Sequence, residues 1–180
     1  TNRDKTVPER IEEIKTLAAD GVKYCMLTDD HFGGDSGRVE KICDSIIASG
    51  IKIAFFCFIR PFAGNMDLKK KMVKAGFIML SYGAESPDPA QLARYNKGFG
   101  ESAGFIKKVN AEWLAAGACY VGNSFVFGDA DDDKEVIASL GAFARGLDPT
   151  YIEPLYSQPF PATRYRETLK ERGLLIEERG

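Results

Sequence analysis

Amphipathic stretches and apolar runs alternate along the chain. The amphipathic stretches carry an apolar residue every three or four positions, as helices covered on one face do, whereas the runs are apolar on nearly every residue, as strands covered on both faces are. Six of the helical stretches each end at a glycine, because a helix commonly stops in a left-handed conformation that glycine adopts without strain; these are Gly21, Gly50, Gly76, Gly117, Gly146 and Gly173. The pattern predicts five strands that alternate with helices.

The predicted elements indicate a parallel α/β fold. The predicted strands are Val22–Thr28, Ile51–Ile59, Phe77–Tyr82, Cys119–Phe127 and Tyr151–Tyr156. The predicted helices are one that begins with the capping-box pattern at Thr6 and ends at Gly21, one through Val39 and Ile47, two short ones at Asp67–Ala75 and Asp88–Tyr95, one from Glu101 to Ala116, one through Val136 and Phe143, and one that ends at Arg172. Such alternation is typical of a barrel or of an open doubly wound sheet. Because these folds open on a strand and this chain opens on a helix, we expect a first strand to precede the sequence.

Composition narrows the class of protein without naming an activity. The 180 residues are enough for one domain, which we expect to span residues 1–180. A net charge of −2 gives no electrostatic reason to expect nucleic acid, and we expect a cytoplasmic protein without a membrane segment. The four cysteines are scattered, and we expect them to be buried small apolar residues in a reducing compartment; they are Cys25, Cys43, Cys57 and Cys119.

Polar or small residues follow each predicted strand. In chain order they are Asp29 and Asp30, Arg60, Glu85 and Ser86, Gly128, and Gln158. Because the carboxyl ends of parallel strands converge on one rim, we expect these groups to outline a site. Glu85 is the strongest candidate, since a charge directly after an apolar strand is unusual. The acidic run 129–133 favours a helix N-terminus over a metal site, and the single histidine, His31, is interpreted as a loop residue.

Five short motifs resemble those of the radical S-adenosylmethionine enzymes, and they occur in order along the whole chain. They are Leu-Thr-Asp-Asp-His-Phe at 27–32, Tyr-Gly-Ala-Glu-Ser at 82–86, Asn-Lys-Gly at 96–98, Ser-Phe-Val-Phe-Gly at 124–128 and Pro-Phe-Pro-Ala-Thr at 159–163. The chain is most similar to the group whose radical domain often follows a cobalamin-binding domain, which includes anaerobic magnesium-protoporphyrin ester cyclase-like and methyltransferase-like proteins.

The resemblance implies a fold, cofactors and partners. The fold is a partial TIM-type (β/α)6 barrel, here without its first strand. The cofactors are S-adenosyl-L-methionine and a 4Fe-4S cluster, which together give a 5′-deoxyadenosyl radical for oxidoreductase or methyltransferase-type chemistry on a small-molecule substrate, with cobalamin in a preceding domain. The family holds its cluster with a C-x3-C-x2-C loop, which this sequence lacks. We therefore expect the chain to be inactive alone, with the cluster ligands outside it.

By position, the resemblance also implies seven cofactor-binding residues and no acid–base catalyst. Asp29 and Asp30 match the loop that holds the methionyl amino group, Glu85 matches a residue near the ribose and methionyl part, and Lys97 is a candidate for the carboxylate; Ser124, Val126 and Gly128 match the motif along adenine. After that glycine the family has Leu-Pro-Gly-Glu-Thr, and we expect Asp131 to replace the glutamate. In the last motif Ala162 stands where glycine is usual.

Two other functions fit the residues. One is a metal-dependent hydrolase or lyase barrel that uses Asp29, Asp30 and His31, which predicts divalent-metal binding. The other is a non-catalytic scaffold that kept the barrel and lost the chemistry.

Overall fold

The computed structural model describes residues 5–29, 31–61, 64–94 and 103–176. Within these ranges the strands are β1 (Tyr24–Leu27), β2 (Ala54–Phe58), β3 (Met79–Glu85), β4 (Tyr120–Phe127) and β5 (Tyr151–Tyr156). The helices are α1 (Val7–Ala19), α2 (Ser36–Ser49), α3 (Met66–Lys74), α4 (Pro89–Arg94), α5 (Ala103–Ala116), α6 (Lys134–Gly146) and α7 (Arg164–Glu171), with a short 3-10 turn at Phe32–Gly34. All five predicted strands are confirmed.

The sheet is parallel throughout, and its strands lie side by side in chain order, β1-β2-β3-β4-β5. An open doubly wound sheet reverses its strand order at a switch point, whereas a barrel-type sheet keeps successive strands adjacent. The observed order therefore decides between the two predicted architectures in favour of the barrel type. No helix of the described ranges combines the length and the apolar character needed to cross a membrane.

Local sequence signals set most helix ends as predicted. Thr6 and Glu9 form the capping box of α1, in which the Thr6 N–H donates to Glu9 Oε2 at 2.7 Å. Gly50 ends α2 in the left-handed region at φ 70°. α6 ends at Gly146 as predicted, but Gly146 does not take the left-handed conformation, which Asp148 has instead at φ 52°. Lys107 pairs with Asp148 at 2.7 Å, and aspartate tolerates this conformation better than most residues.

The main core lies between the sheet and the helices. Phe77 stacks between Phe32 and Phe55, with ring centroids 4.8 Å from each. Cys43 and Cys57 are buried in this core as predicted, and burial raises the pKa of each thiol to about 12. The prediction is wrong for Cys119, which is exposed because it lies one residue before β4, in the turn that follows α5. Cys25 is only partly buried.

A buried polar cluster fixes which way the residues of β3 and β4 point. The Tyr82 hydroxyl donates to Asn110 Oδ1 on α5, and Asn110 Nδ2 donates to Asn123 Oδ1 at 2.8 Å and to the Leu147 carbonyl at 2.7 Å. Tyr82 and Asn123 therefore face the helices. Because side chains alternate along a strand, their neighbours point to the opposite side, which we call the inward face; it carries Ser81 and Gly83 of β3 and Gly122, Ser124 and Val126 of β4.

Candidate functional site

Glu85 combines burial, charge and an unfavourable backbone conformation at the carboxyl end of β3. Its φ is 57°, in the left-handed region, and only 8 % of its surface is exposed. The register between β3 and β4 shifts between Gly83 and Glu85. For a residue other than glycine the left-handed region costs about 1–2 kcal/mol, and such strain clusters at functional sites. The sequence context that singled out Glu85 thus coincides with a structural outlier.

Gly83 makes room for the Glu85 carboxylate. A Cβ atom at position 83 would lie 2.1 Å from Glu85 Oε1 and 2.8 Å from its Cδ. The carboxylate is therefore folded back over the backbone of β3, where any side chain at position 83 would displace it. In the Tyr-Gly-Ala-Glu-Ser motif, the Glu85 carboxylate thus occupies the space that a side chain at position 83 would fill.

Ser124, Val126 and Gly128 lie on the neighbouring strand and its exit. Ser124 is paired in register with Gly83, so it is adjacent to the space under Glu85. Val126 follows on the same face, and Gly128 leaves the strand with a φ of 79°. Glu153 of β5 is paired with Ser124 on the other side and brings a second carboxylate to this face. Sequence reasoning missed Glu153, because it lies inside the last strand rather than after it.

Nearer the amino ends of the strands than Glu85 and Ser124, the inward face is lined by aromatic rings. Phe56 contacts Phe58 and Tyr120 edge to face at 5.1 and 5.9 Å, and Tyr120 packs on Tyr151 at 5.5 Å. Burial raises the pKa of Tyr120, and the Glu153 carboxylate and Tyr151 raise it further. The Ser81 hydroxyl is buried on the same face and finds no hydrogen-bond partner among the described residues. The inward face thus has an aromatic part and, nearer the carboxyl ends of the strands, a polar edge.

Asp29 lies at the carboxyl end of β1, where Arg10 of α1 holds it. Arg10 Nη1 is 3.2 Å from Asp29 Oδ2, and Nη2 is 3.3 Å from Oδ1, so the guanidinium faces the carboxylate with both nitrogens. Arg10, Asp29 and Thr28 line a cavity of about 300 Å³ between α1 and β1. The positive charge of Arg10 therefore compensates the negative charge of Asp29. The sequence did not reveal this ion pair, because Arg10 is one of several charged residues on α1.

His31 and Arg60 follow β1 and β2 at the same rim. Burial lowers the pKa of His31, and the positive charge of Arg60 lowers it further. His31 Nδ1 is buried without a hydrogen-bond partner in the described ranges, and the ring lies against Gly34, whose Cβ would approach His31 Cδ2 to 3.2 Å. The imidazole is thus held in its neutral form in a loop, which is where the sequence placed it.

The aspartates of the acidic run after Gly128 have different hydrogen-bond partners. Asp132 accepts hydrogen bonds from the N–H groups of Gly128 and Asp129 through Oδ2, at 2.8 and 3.1 Å. Asp131 instead pairs with Arg172 at 2.8 Å. Asp132, rather than Asp131, is therefore the residue whose carboxylate reaches back into the turn. The predicted helix N-terminus is confirmed in Asp133, which caps α6 by accepting from the Val136 N–H at 2.8 Å.

Gln91 is a buried polar residue that the sequence did not reveal. It lies on α4, only 1 % exposed, and its Nε2 donates to Asp132 Oδ1 at 3.1 Å. Nothing in its local context distinguishes it from a surface glutamine, since the partner is far away in the chain. Ala162 follows the last strand with a φ of 63°, so it keeps the left-handed conformation that the usual glycine would favour.

Two of the seven residues proposed to bind cofactor, Asp30 and Lys97, lie outside the described residues. Within the described ranges, no group of three or more His, Cys, Asp or Glu side chains could hold a metal ion. The rim of β3 and β4 nevertheless fits part of S-adenosylmethionine. Carboxylates accept hydrogen bonds from ammonium and ribose hydroxyl groups, and the glycine backbones at 83 and 128 permit a close approach. The unpartnered Ser81 hydroxyl supplies a further polar group on this face.

Two curated proteins are similar to this chain in sequence. No family model matches the chain. It is 27 % identical over 175 residues to an uncharacterised methyltransferase of Pyrococcus horikoshii and 29 % identical over 181 residues to a bacteriochlorophyllide d C-8(2)-methyltransferase of Chlorobaculum tepidum. These alignments cover 97 % of the chain but only 38 % and 39 % of the two relatives, so the chain spans less than half of their length.

Solved structures share the fold at low sequence identity. The radical S-adenosylmethionine methyltransferase TsrM of Kitasatospora setae, with cobalamin and a 4Fe-4S cluster bound, matches with a TM-score of 0.79 and 16 % identity, over 94 % of this chain and 34 % of that one. The radical enzyme coproporphyrinogen III oxidase of Escherichia coli matches with a TM-score of 0.67 and 14 % identity, over 86 % and 37 % of the two chains. The fold expected from the resemblance to radical S-adenosylmethionine enzymes is confirmed by these structures, and both curated relatives are named as methyltransferases.

Proposed function

We propose that the chain forms the S-adenosylmethionine-binding part of a radical enzyme that acts on a small molecule, by methyl transfer or by an oxidoreductase reaction. One observation carries the proposal: a strained, buried Glu85 folded over Gly83 at the carboxyl end of the central strand. The names of both curated relatives favour methyl transfer. The cluster ligands and any cobalamin-binding domain would come from other parts of a longer protein.

The residues of this chain would bind and orient the cofactor rather than transfer protons. Glu85 would accept hydrogen bonds from the ribose or methionyl part, because an ionised carboxylate is an acceptor only. Ser124 and Val126 would lie along the adenine, and Gly128 would let the backbone approach it closely. Asp29, Asp30 and Lys97 would complete the methionyl end. When bound, a reduced 4Fe-4S cluster supplies the electron that cleaves S-adenosylmethionine.

Burial of the inward face would protect this chemistry. The rings of Phe56, Phe58, Tyr120 and Tyr151 give one side of the sheet an apolar surface, and a bound cofactor and substrate would cover it from water. A site without water strengthens the electrostatic contacts to the cofactor and keeps away competing hydrogen donors. In the hydrolase alternative, a metal ion would have to share the Asp29 carboxylate with Arg10, whose guanidinium faces both of its oxygens.

The decisive test is made on the full-length protein, purified without oxygen and reconstituted with iron and sulfide. We expect it to release 5′-deoxyadenosine from S-adenosylmethionine after reduction. Glu85→Gln should lower the release by at least about tenfold, as expected for the loss of one charged hydrogen bond, while the absorbance of the cluster stays unchanged. Glu40→Gln is the matched control, because Glu40 is a surface carboxylate that pairs with Lys71 on the outer helices.

Two results would overturn the proposal. A full-length protein that takes up no cluster would exclude the radical reaction. A Glu85→Gln variant that releases 5′-deoxyadenosine as fast as the Glu40→Gln control would remove Glu85 from the cofactor site.

A further inference from the structure

The turn after β4 is tied to the helix after β3 by one carboxylate. Asp132 Oδ2 accepts from the N–H groups of Gly128 and Asp129 at 2.8 and 3.1 Å, and Asp132 Oδ1 accepts from Gln91 Nε2 at 3.1 Å. Both carboxylate oxygens are thus used, one by the turn and the other by α4. Hydrogen bonds to an ionised acceptor are roughly twice as strong as those between neutral groups, so this contact is a strong one for a loop.

The helix end of this contact is itself anchored beside Glu85. Ser86, the next residue, is 2 % exposed, and its Oγ accepts from the Asp88 N–H at 3.0 Å just before α4 begins. Gln91 is 1 % exposed, so water cannot replace Asp132 as the hydrogen-bond acceptor of its amide. A continuous chain of contacts therefore runs from Glu85 through α4 to Gly128.

We propose that Gln91 and Asp132 form a positioning latch that holds the Gly128 turn at a fixed distance from Glu85. The inference rests on the proposed function, because these two segments supply the two halves of the proposed cofactor site, one for the ribose and methionyl part and one for adenine. The two segments are also joined by the pairing of β3 with β4, but the register of that pairing shifts at Glu85. Neither latch residue needs to contact the cofactor.

The direction of the hydrogen bonds provides a sharp test. In Asp132→Asn, the new amide cannot accept on both sides, so its NH2 group must face either the NH2 group of Gln91 or the N–H groups of the turn. In Gln91→Glu, two carboxylates face each other. In the double variant, the carboxylate introduced at position 91 can accept from the amide introduced at position 132. The oxygen of that amide still accepts from the turn, so the pairing is restored.

The measurement is the dissociation constant of S-adenosylmethionine in the full-length protein with its cluster in place. We expect each single variant to weaken binding about tenfold and the double variant to return to within about threefold of the wild type. Asp131→Asn and Asp133→Asn are controls that remove a neighbouring carboxylate with other partners, Arg172 and the Val136 N–H, and they should leave binding within about twofold.

Different failures have different meanings. A wild-type protein that does not bind S-adenosylmethionine contradicts the proposed function. Wild-type binding that Asp132→Asn leaves unchanged contradicts the latch, as does a double variant that binds more weakly than either single one. A lower thermal midpoint with unchanged binding would show a merely structural contact. Hydrogen exchange of the Gly128 and Asp129 amides tests the latch without cofactor, because both amides should exchange faster in Asp132→Asn.

Discussion

Both faces of β3 and β4 carry buried polar groups, but the two sets of groups differ in their hydrogen bonding. On the side that faces the helices, the polar groups of Tyr82 and Asn123 are buried and hydrogen-bonded to Asn110. On the inward side, the Ser81 hydroxyl is buried without a partner among the described residues, and Glu85 is held in a strained conformation. Adjacent residues of one strand thus belong to two environments, and burial alone does not distinguish them.

What distinguishes the two faces is whether the polar groups are satisfied. A buried polar group that makes its hydrogen bonds within the protein holds the structure together. Tyr82 is such a group. Burial raises its pKa, because the charged phenolate loses more solvation free energy than the neutral phenol when it is removed from water. A buried polar group with bonding capacity to spare costs stability and is retained where it serves a ligand. On this criterion we assign the proposed cofactor site to the inward face and a structural role to the helix-facing side.

The largest predicted effect is on the free energy of unfolding, which loss of a polar group should lower on the helix-facing side but not on the inward face. Asn123→Ala leaves the buried Asn110 amide without one acceptor and should lower the free energy of unfolding by about 1–3 kcal/mol. Ser81→Ala removes an unpartnered buried hydroxyl and should leave stability unchanged or raise it by up to about 1 kcal/mol. Denaturant unfolding followed by the fluorescence of Trp113, the single tryptophan, measures both variants.

The pair of variants is matched, since each removes one polar group from a neighbouring strand of the same sheet. Equal destabilisation by both would mean that the Ser81 hydroxyl has a structural partner. The distinction between a satisfied and an unsatisfied face would then be lost.

The fold could be predicted from the sequence, whereas much of the site could not. Helix and strand follow from short-range periodicity, and the position of Glu85 follows from its place after an apolar run. Four aspartates within 129–133 look alike in composition, and only the register of the family motif, which has its glutamate fourth after the glycine, distinguishes Asp132 from Asp131. The burial of Gln91 depends on a contact 41 residues away, which no local pattern encodes.

A smaller effect concerns the backbone of the inward face. Glu85→Gly and Glu85→Ala both remove the carboxylate, but only glycine relieves the φ of 57°. We expect Glu85→Gly to be about 1 kcal/mol more stable than Glu85→Ala, although both should lose cofactor binding. Ala162→Gly is the control, because it relieves a φ of 63° outside the sheet and should also stabilise the chain. Equal stability of the two Glu85 variants would show that the left-handed conformation is not the source of strain.

The smallest effect is the pH dependence that His31 gives to the rim. Burial and the charge of Arg60 lower the pKa of His31 below its usual 6.5. As the pH falls, the unfolded chain therefore takes up a proton at a higher pH than the folded chain does. The contribution to stability is therefore lost progressively as the pH falls below about 6.5, and it is fully lost once the pH is below the folded pKa. Because His31 is the only histidine, its imidazole signal in an NMR titration is unambiguous. Arg60→Gln should raise the folded pKa toward 6.5 without restoring it fully, since burial is the larger cause. A folded pKa at or above 6.5 in the wild type would place the ring in water and take His31 out of the buried rim.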